Sequence, residues 1–207
     1  AVVISYVKSQ GIAYENYMTV LLVMLEIPAI ITGVILAAKA SNKANNNIGV
    51  IIKEVFLGKS ILLIVGGIFI GYTVGYTDNK QINFFFFDLF KGFLCLFMLE
   101  MGIITSERIK DLKKVGLTLI AFGVVMPLIS ATLGILTGVF CGLSQGGTTI
   151  LAAMAASASY IAAPAAMRLA LPEANPTFSL TAALGITFPF NVILGIPLYS
   201  YLTALFY

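Results

Sequence analysis

Two serines spaced two apart, Ser157 and Ser159, lie in a run of small residues that leads into a proline. The run reads Ala155-Ala156-Ser157-Ala158-Ser159-Tyr160-Ile161-Ala162-Ala163-Pro164-Ala165-Ala166-Met167-Arg168. Hydroxyl oxygens suit a hard cation such as Na⁺. A helix that ended near these serines would add backbone carbonyls and the negative end of its dipole. A second helix opening at Pro164, a residue suited to the first helical turn, would turn free N–H groups of Ala162–Ala166 toward an anion. Such a break is a cation and anion site made largely of backbone. The same residues also fit an unbroken, proline-kinked helix whose alanines and serines face a close neighbour. Spacing alone leaves both readings standing.

Other groups capable of chemistry are few. Glu26, in the run Glu26-Ile27-Pro28, is a carboxylate deep in apolar sequence, which is costly unless it is paired, protonated or facing water. It is a candidate cation ligand or gate residue, or else a carboxyl satisfied by a neighbouring helix. Asn191, just after Pro189, either bonds across helices or lines the site. Glu100 lies nearer the end of its apolar run and reads as structural. The chain has no His, which removes the usual general base and the commonest metal ligand. Cys95 and Cys141 lie in separate apolar blocks without metal-ligand spacing and read as packing residues. No paired acids and no nucleophile–base arrangement is visible, so an enzyme is not expected, nor is any cofactor beyond a coupling Na⁺.

The elements that must position these residues are membrane helices. Hydrophobic residues make up 59% of the 207 and charged residues 10%, with a mean hydropathy of +1.01. A soluble core of this size cannot hide so much apolar surface. A span needs about 20 apolar residues, and six segments qualify: A near Met18–Ala38, B near Val55–Tyr76, C near Phe85–Thr105, D near Val115–Cys141, E near Gly147–Ala170 and F near Ser179–Tyr207. The expected fold is therefore an all-α membrane protein of about six transmembrane spans. The linkers are too short for a second domain, so residues 1–207 form one membrane domain. If E is broken, its first half, near Gly147–Ala158, has about 12 residues and covers roughly 18 Å, about half the membrane.

Basic residues orient the spans. Placing the A–B, C–D and E–F linkers on one side collects nine of the twelve Lys and Arg there, leaving Lys8, Lys80 and Lys91 on the other. The first side is expected to be cytoplasmic. Span A then starts outside, and Tyr207 ends outside. The net charge of +3 is small and scattered, which gives no sign of nucleic-acid binding.

Setting Pro28 over Pro189, an offset of 161 residues, lays span A over the start of span F and Ala1–Ser9 over Ala162–Ala170. Identities are at chance level, but the layouts match and the two copies have opposite topology. That is the pattern of an inverted-repeat transporter. On this alignment the chain starts inside the second half of the first repeat's broken helix. Residues 1–39 are then the end of the first repeat and 50–207 the second. The chain alone is expected to lack the first four spans, and to give no uptake until they are restored.

Three runs, YENYMTVLLVMLEIPAIITGVILA, AASASYIAAPAAMRLALPEANP and ALGITFPFNVILGIPLY, together resemble the sodium-dependent bicarbonate permease family, collinearly over essentially the whole chain. The resemblance implies a sodium-coupled bicarbonate symporter of the cell membrane that works by alternating access. It implies ten spans in a five-plus-five inverted repeat, with E the broken helix at the substrate site. Carried over residue by residue, it places cation and bicarbonate contacts at Ser157, Ala158, Ser159, Tyr160 and Ile161, with Ala162, Ala163 and Pro164 opening the second half-helix. Ser157 and Ser159 would hold Na⁺. It also implies a homotrimer and a small PII-like nitrogen-regulatory protein as cytoplasmic partner. Two positions depart from the family pattern: Tyr160 stands where an acidic residue can occur, and Glu26 where Asp is familiar. Transport of another small anion, or a membrane subunit that transports nothing, are the readings set against it.

Overall fold

The computed structural model describes residues 2–40, 59–74, 84, 89–109, 112–157 and 175–207. Among these there is no strand. The helices are α1 (Val2–Ser9), α2 (Met18–Ala40), α3 (Lys59–Val74), α4 (Leu89–Ile109), α5 (Leu112–Phe140, interrupted by a kink at Gly116, φ 76° and ψ 163°) and α6 (Gln145–Ala156). A composite helix, α7, starts at Pro176 and ends at Ala204. Three stretches among the described residues are long and apolar enough to cross a membrane: Leu89–Arg108, Gly116–Phe140 and Thr177–Ala204. Met18–Gly33 is a shorter apolar stretch. Helices thus stand at the positions of spans A to D and F, and α6 stands at the start of E.

The chain forms two compact units. One holds α1, the first turn of α2, the last turns of α4, and α5, α6 and α7; the other holds the rest of α2, α3 and the start of α4. In the second unit, Leu63 is 74% and Tyr72 88% exposed. A helix so apolar on its outside needs lipid as its solvent. The first unit shows the complementary pattern. Thr148, Thr149, Thr181, Asn191 and Thr203 are buried, while Leu117, Leu133 and Phe140 face outward.

In that unit α6 is the central element. Ala152, Ala153 and Ala156 pack with Ala131 and Ile135 of α5 and with Ile196 and Tyr199 of α7, and Val3 and Tyr6 of α1 join them. On another side Ile150 packs with Val7 and Met18. Lipid tails are as apolar as these side chains, so close van der Waals fit rather than exclusion of water drives the association. Two glycines of α5 allow it. A Cβ at Gly134 would stand 2.8 Å from the Ala152 Cα, and one at Gly138 would stand 2.8 Å from both Thr148 Oγ1 and Cγ2. The Gly134-x-x-x-Gly138 face therefore brings the two backbones almost into contact.

Glycines also stop α1 and α5. Gly11 and Gly142 have φ of 68° and 69°, and the amides that follow, on Ile12 and Leu143, return to the Val7 and Gly138 carbonyls. This is the left-handed helix stop that an L side chain resists. The two stops lie together. Ser144 Oγ donates to the Ala13 carbonyl at 3.1 Å, and the Ser144 N–H donates to Glu15 Oε1 at 2.6 Å. Tyr207 Oη donates to the Leu143 carbonyl. The α1–α2 linker, the α5–α6 linker and the end of α7 thus share one face, as the charge distribution predicts for the outer side. Toward the opposite end, Thr105 Oγ1 donates to the Leu184 carbonyl at 3.0 Å.

α7 is not uniformly wound. Residues Thr181–Thr187 and Asn191–Gly195 form π-helical turns, separated by Phe188–Phe190 and followed by Ile196–Ala204. Each π stretch ends two residues before a proline, Pro189 or Pro197. A proline ring collides with the carbonyl four residues earlier, and a wider turn moves that carbonyl away. The helix absorbs both prolines without breaking.

Candidate functional site

α6 begins at the shared face and is 12 residues long, about 18 Å, a little over half the thickness of a 30 Å hydrocarbon layer. Its start is secured twice. Ser144 is the N-cap, its Oγ accepting from the Gly147 N–H at 3.2 Å. The Glu15 carboxylate brings negative charge to the positive end of the helix dipole. Gly146 and Gly147 make room for this contact, because a Cβ on Gly147 would overlap the carboxylate. The sequence places the half-helix near Gly147–Ala158; the cap at Ser144 starts it two residues earlier.

At its other end α6 stops where the sequence suggests. Ser157 has φ −83° and ψ 150°, an extended conformation. Its N–H returns to the Met154 carbonyl at 3.1 Å, and its Oγ donates to the Ala153 carbonyl at 2.6 Å. With its proton committed there, the Ser157 oxygen keeps its lone pairs for other partners. The Ala156 carbonyl accepts from Asn191 Nδ2 at 2.8 Å. The last turn of a helix has four carbonyls without helical partners. Three of them, on Ala153, Met154 and Ala156, are engaged by Ser157 and Asn191.

A cavity of about 370 Å³ adjoins this end, between α5, α6 and the first half of α7. Phe122 and Met126 form part of its apolar wall; Ser130, Ser157, Ser179 and Thr187 are the hydroxyl residues that line it. Thr187 Oγ1 is itself held by the Gly123 carbonyl, to which it donates at 2.9 Å. The wall is mostly apolar, with the hydroxyl residues a minority of its lining.

The expected site residues are distributed as follows. Ser157 and Asn191 come together around the Ala156 carbonyl. Ala158, Ser159, Tyr160, Ile161, Ala162, Ala163 and Pro164 lie outside the described residues. Glu26 is half-buried in the part of α2 that belongs to the other unit. Asn191, for which the sequence left two roles open, bonds across helices. Four residues escaped the sequence reading. Tyr199 is fully buried and donates to Asn191 Oδ1 at 2.7 Å; in the sequence it is one of several tyrosines near an outer membrane boundary. Glu15 is a linker carboxylate whose partner lies 129 positions away. Gly134 and Gly138 carried a legible signal, a small-xxx-small repeat inside an apolar run. The described residues contain no cluster of three His, Cys, Asp or Glu side chains fit to hold a metal ion; what α6 presents is hydroxyl and carbonyl oxygen.

No curated protein matches this chain significantly. A family model matches residues 1–204, nearly all of a helical, lipid-facing chain with a short helix that ends beside a mainly apolar cavity, and the protein belongs to the Na⁺-dependent bicarbonate transporter superfamily.

Proposed function

We propose that this chain binds Na⁺ and bicarbonate at the inner end of α6 and moves them together, as a symporter of the cell membrane working by alternating access. The observation that carries the reading is the stop at Ser157. A 12-residue helix ends near the expected membrane midplane with an extended serine, and its negative dipole end adjoins a largely apolar cavity whose wall includes Ser130, Ser157, Ser179 and Thr187. A cation there meets the negative end of α6 and neutral oxygen ligands. A bound cation in turn supplies the positive charge that draws in a small anion. Family membership supports Na⁺ and bicarbonate as the pair. Residues 158–164 complete the site by resemblance, with Ser159 as the second hydroxyl ligand. The inverted repeat, with α1 equivalent to the second half of the broken helix, belongs to the same proposal.

Sodium-dependent uptake of labelled bicarbonate into vesicles containing the intact protein tests this. Ser157→Ala keeps the helix stop but removes one oxygen ligand. The concentration of sodium for half-maximal uptake should rise severalfold, with the amount of protein in the membrane unchanged. Wild-type sodium dependence in this variant would rule out Ser157 as a ligand. Uptake of another oxyanion or a small monocarboxylate, with bicarbonate unable to compete, would replace the anion and leave the site standing.

A further inference from the structure

Asn191, Gly195 and Tyr199 form a device whose output is the Ala156 carbonyl. Asn191 is 5% exposed and Tyr199 is fully buried. Tyr199 Oη donates to Asn191 Oδ1 at 2.7 Å, and Asn191 Nδ2 donates to the Ala156 carbonyl at 2.8 Å. An amide can turn over and exchange its oxygen and nitrogen. Turned over here, it would set its oxygen against the Ala156 oxygen. The phenol proton holds the amide in the orientation that captures the carbonyl.

The winding of α7 makes this contact reachable. Eight residues apart on a regular α-helix, two side chains point about 80° away from each other. The π turn Asn191–Gly195 holds one more residue than an α turn, and the extra residue takes up about 100°. Asn191 and Tyr199 return to nearly one line. The Tyr199 side chain leans back toward the start of its helix, as helical side chains do, over Gly195. A Cβ on Gly195 would stand 2.8 Å from Asn191 Oδ1 and 2.9 Å from Tyr199 Oη. Only glycine leaves the bond room.

We propose that Tyr199, acting through Asn191, is a positioning residue for the cation site at the end of α6: it keeps the Ala156 carbonyl turned to Asn191 and thereby fixes which oxygens of the Ala155–Ser157 stretch are offered to the ion. This rests on the reading that Na⁺ binds there. Tyr199 touches neither ion nor anion. Without it Asn191 can rotate, the Ala156 carbonyl loses its partner, and the helix end is no longer set for one coordination geometry.

The test measures the melting temperature of the intact purified protein against sodium concentration, since a ligand that binds the native state raises it, together with bicarbonate uptake. In Tyr199→Phe the sodium concentration for half-maximal stabilisation should rise about five- to tenfold, the range of one net hydrogen bond to a buried group. The bicarbonate concentration for half-maximal uptake at saturating sodium should stay put. Gly195→Ala, which keeps both partners but forces them apart, should shift sodium in the same direction, and it stands in if Tyr199→Phe does not fold. Ser200→Ala changes the adjacent buried residue; it should lower the melting temperature without sodium and leave the sodium midpoint alone. If wild type responds to sodium while both Tyr199→Phe and Gly195→Ala keep its midpoint, or if Ser200→Ala shifts equally, the positioning role is overturned and the cation site survives. If wild type shows no sodium response at all, the cation site itself falls, and this role with it.

Discussion

Replacing Gly134 with alanine adds one methyl group where α5 and α6 cross. The new Cβ would meet the Ala152 Cα at 2.8 Å, the Ala155 Cβ at 3.1 Å and the Leu151 carbonyl oxygen at 3.2 Å, where ordinary contact begins at 3.4 Å. Two of these are backbone atoms, which cannot swing aside as a flexible side chain can. Relief therefore requires α6 to retreat by about 0.6 Å or more, and α1 and α7 occupy its other faces. Overpacking costs about 1–3 kcal/mol, and a clash with backbone belongs in the upper part of that range, about 2–3 kcal/mol. Alanine in place of glycine returns up to about 1 kcal/mol in helix propensity, so the steric term wins and the net loss is about 1–2 kcal/mol. At about 2–4 °C per kcal/mol for a chain of this size, the melting temperature in detergent should fall by roughly 2–8 °C. Gly92→Ala is the matched control, because a Cβ there meets nothing within 4 Å; it should be neutral or slightly stabilising. Should Gly134→Ala melt at or above the wild-type temperature, the close crossing described for α5 and α6 is wrong.

Two further outcomes follow from the ends of the helices. Removing the carboxylate in Glu15→Ala leaves the Ser144 N–H without its acceptor and the start of α6 without its counter-charge, a loss of about 1–2 kcal/mol; Glu15→Gln, which keeps an acceptor, should lose less, and equal melting of both variants and wild type would remove Glu15 from the account. In a Cys-free background, a cysteine at Gln10 should react with an impermeant thiol reagent added outside intact cells, while one at Glu107 should be shielded; the reverse labelling would invert the orientation.

Much of the helical layout was legible because apolar run length is a local property. The spans near Met18, Phe85, Val115 and Ser179 needed only hydropathy to find. The stop at Ser157 was legible for a related reason. Small residues, hydroxyls and a following proline carry their meaning within a few positions, and they allow a first half-helix of about 12 residues beside the alternative of an unbroken, kinked helix; the extended Ser157 favours the first. The partners of that half-helix were not legible. Asn191 reaches Ala156 across 35 positions, and Glu15 reaches Ser144 across 129; no local pattern encodes a pairing over such distances. Tyr199 was missed for a subtler reason. A count based on a regular α-helix places it off the Asn191 face, and only the π turn ahead of Pro197 brings it back. Only Pro164, which lies outside the described residues, reads in the sequence as the site of a break; Pro189 and Pro197 carry no such reading, and in α7 they accompany wider winding.

That winding makes the length of α7 as consequential as its composition. A π turn is a stored extra residue. Rewind the stretch between Thr181 and Thr187 as an ordinary α-helix at constant length, and every residue beyond it would turn by about 100° and shift by about 1.5 Å along the axis. Asn191 would then no longer face Ala156. Delete one residue from the same stretch as it rewinds, and the helix beyond keeps its orientation and its height. A one-residue deletion inside a π turn of α7 is therefore a milder edit than the same deletion in its α-helical turns, where no spare residue exists to absorb it.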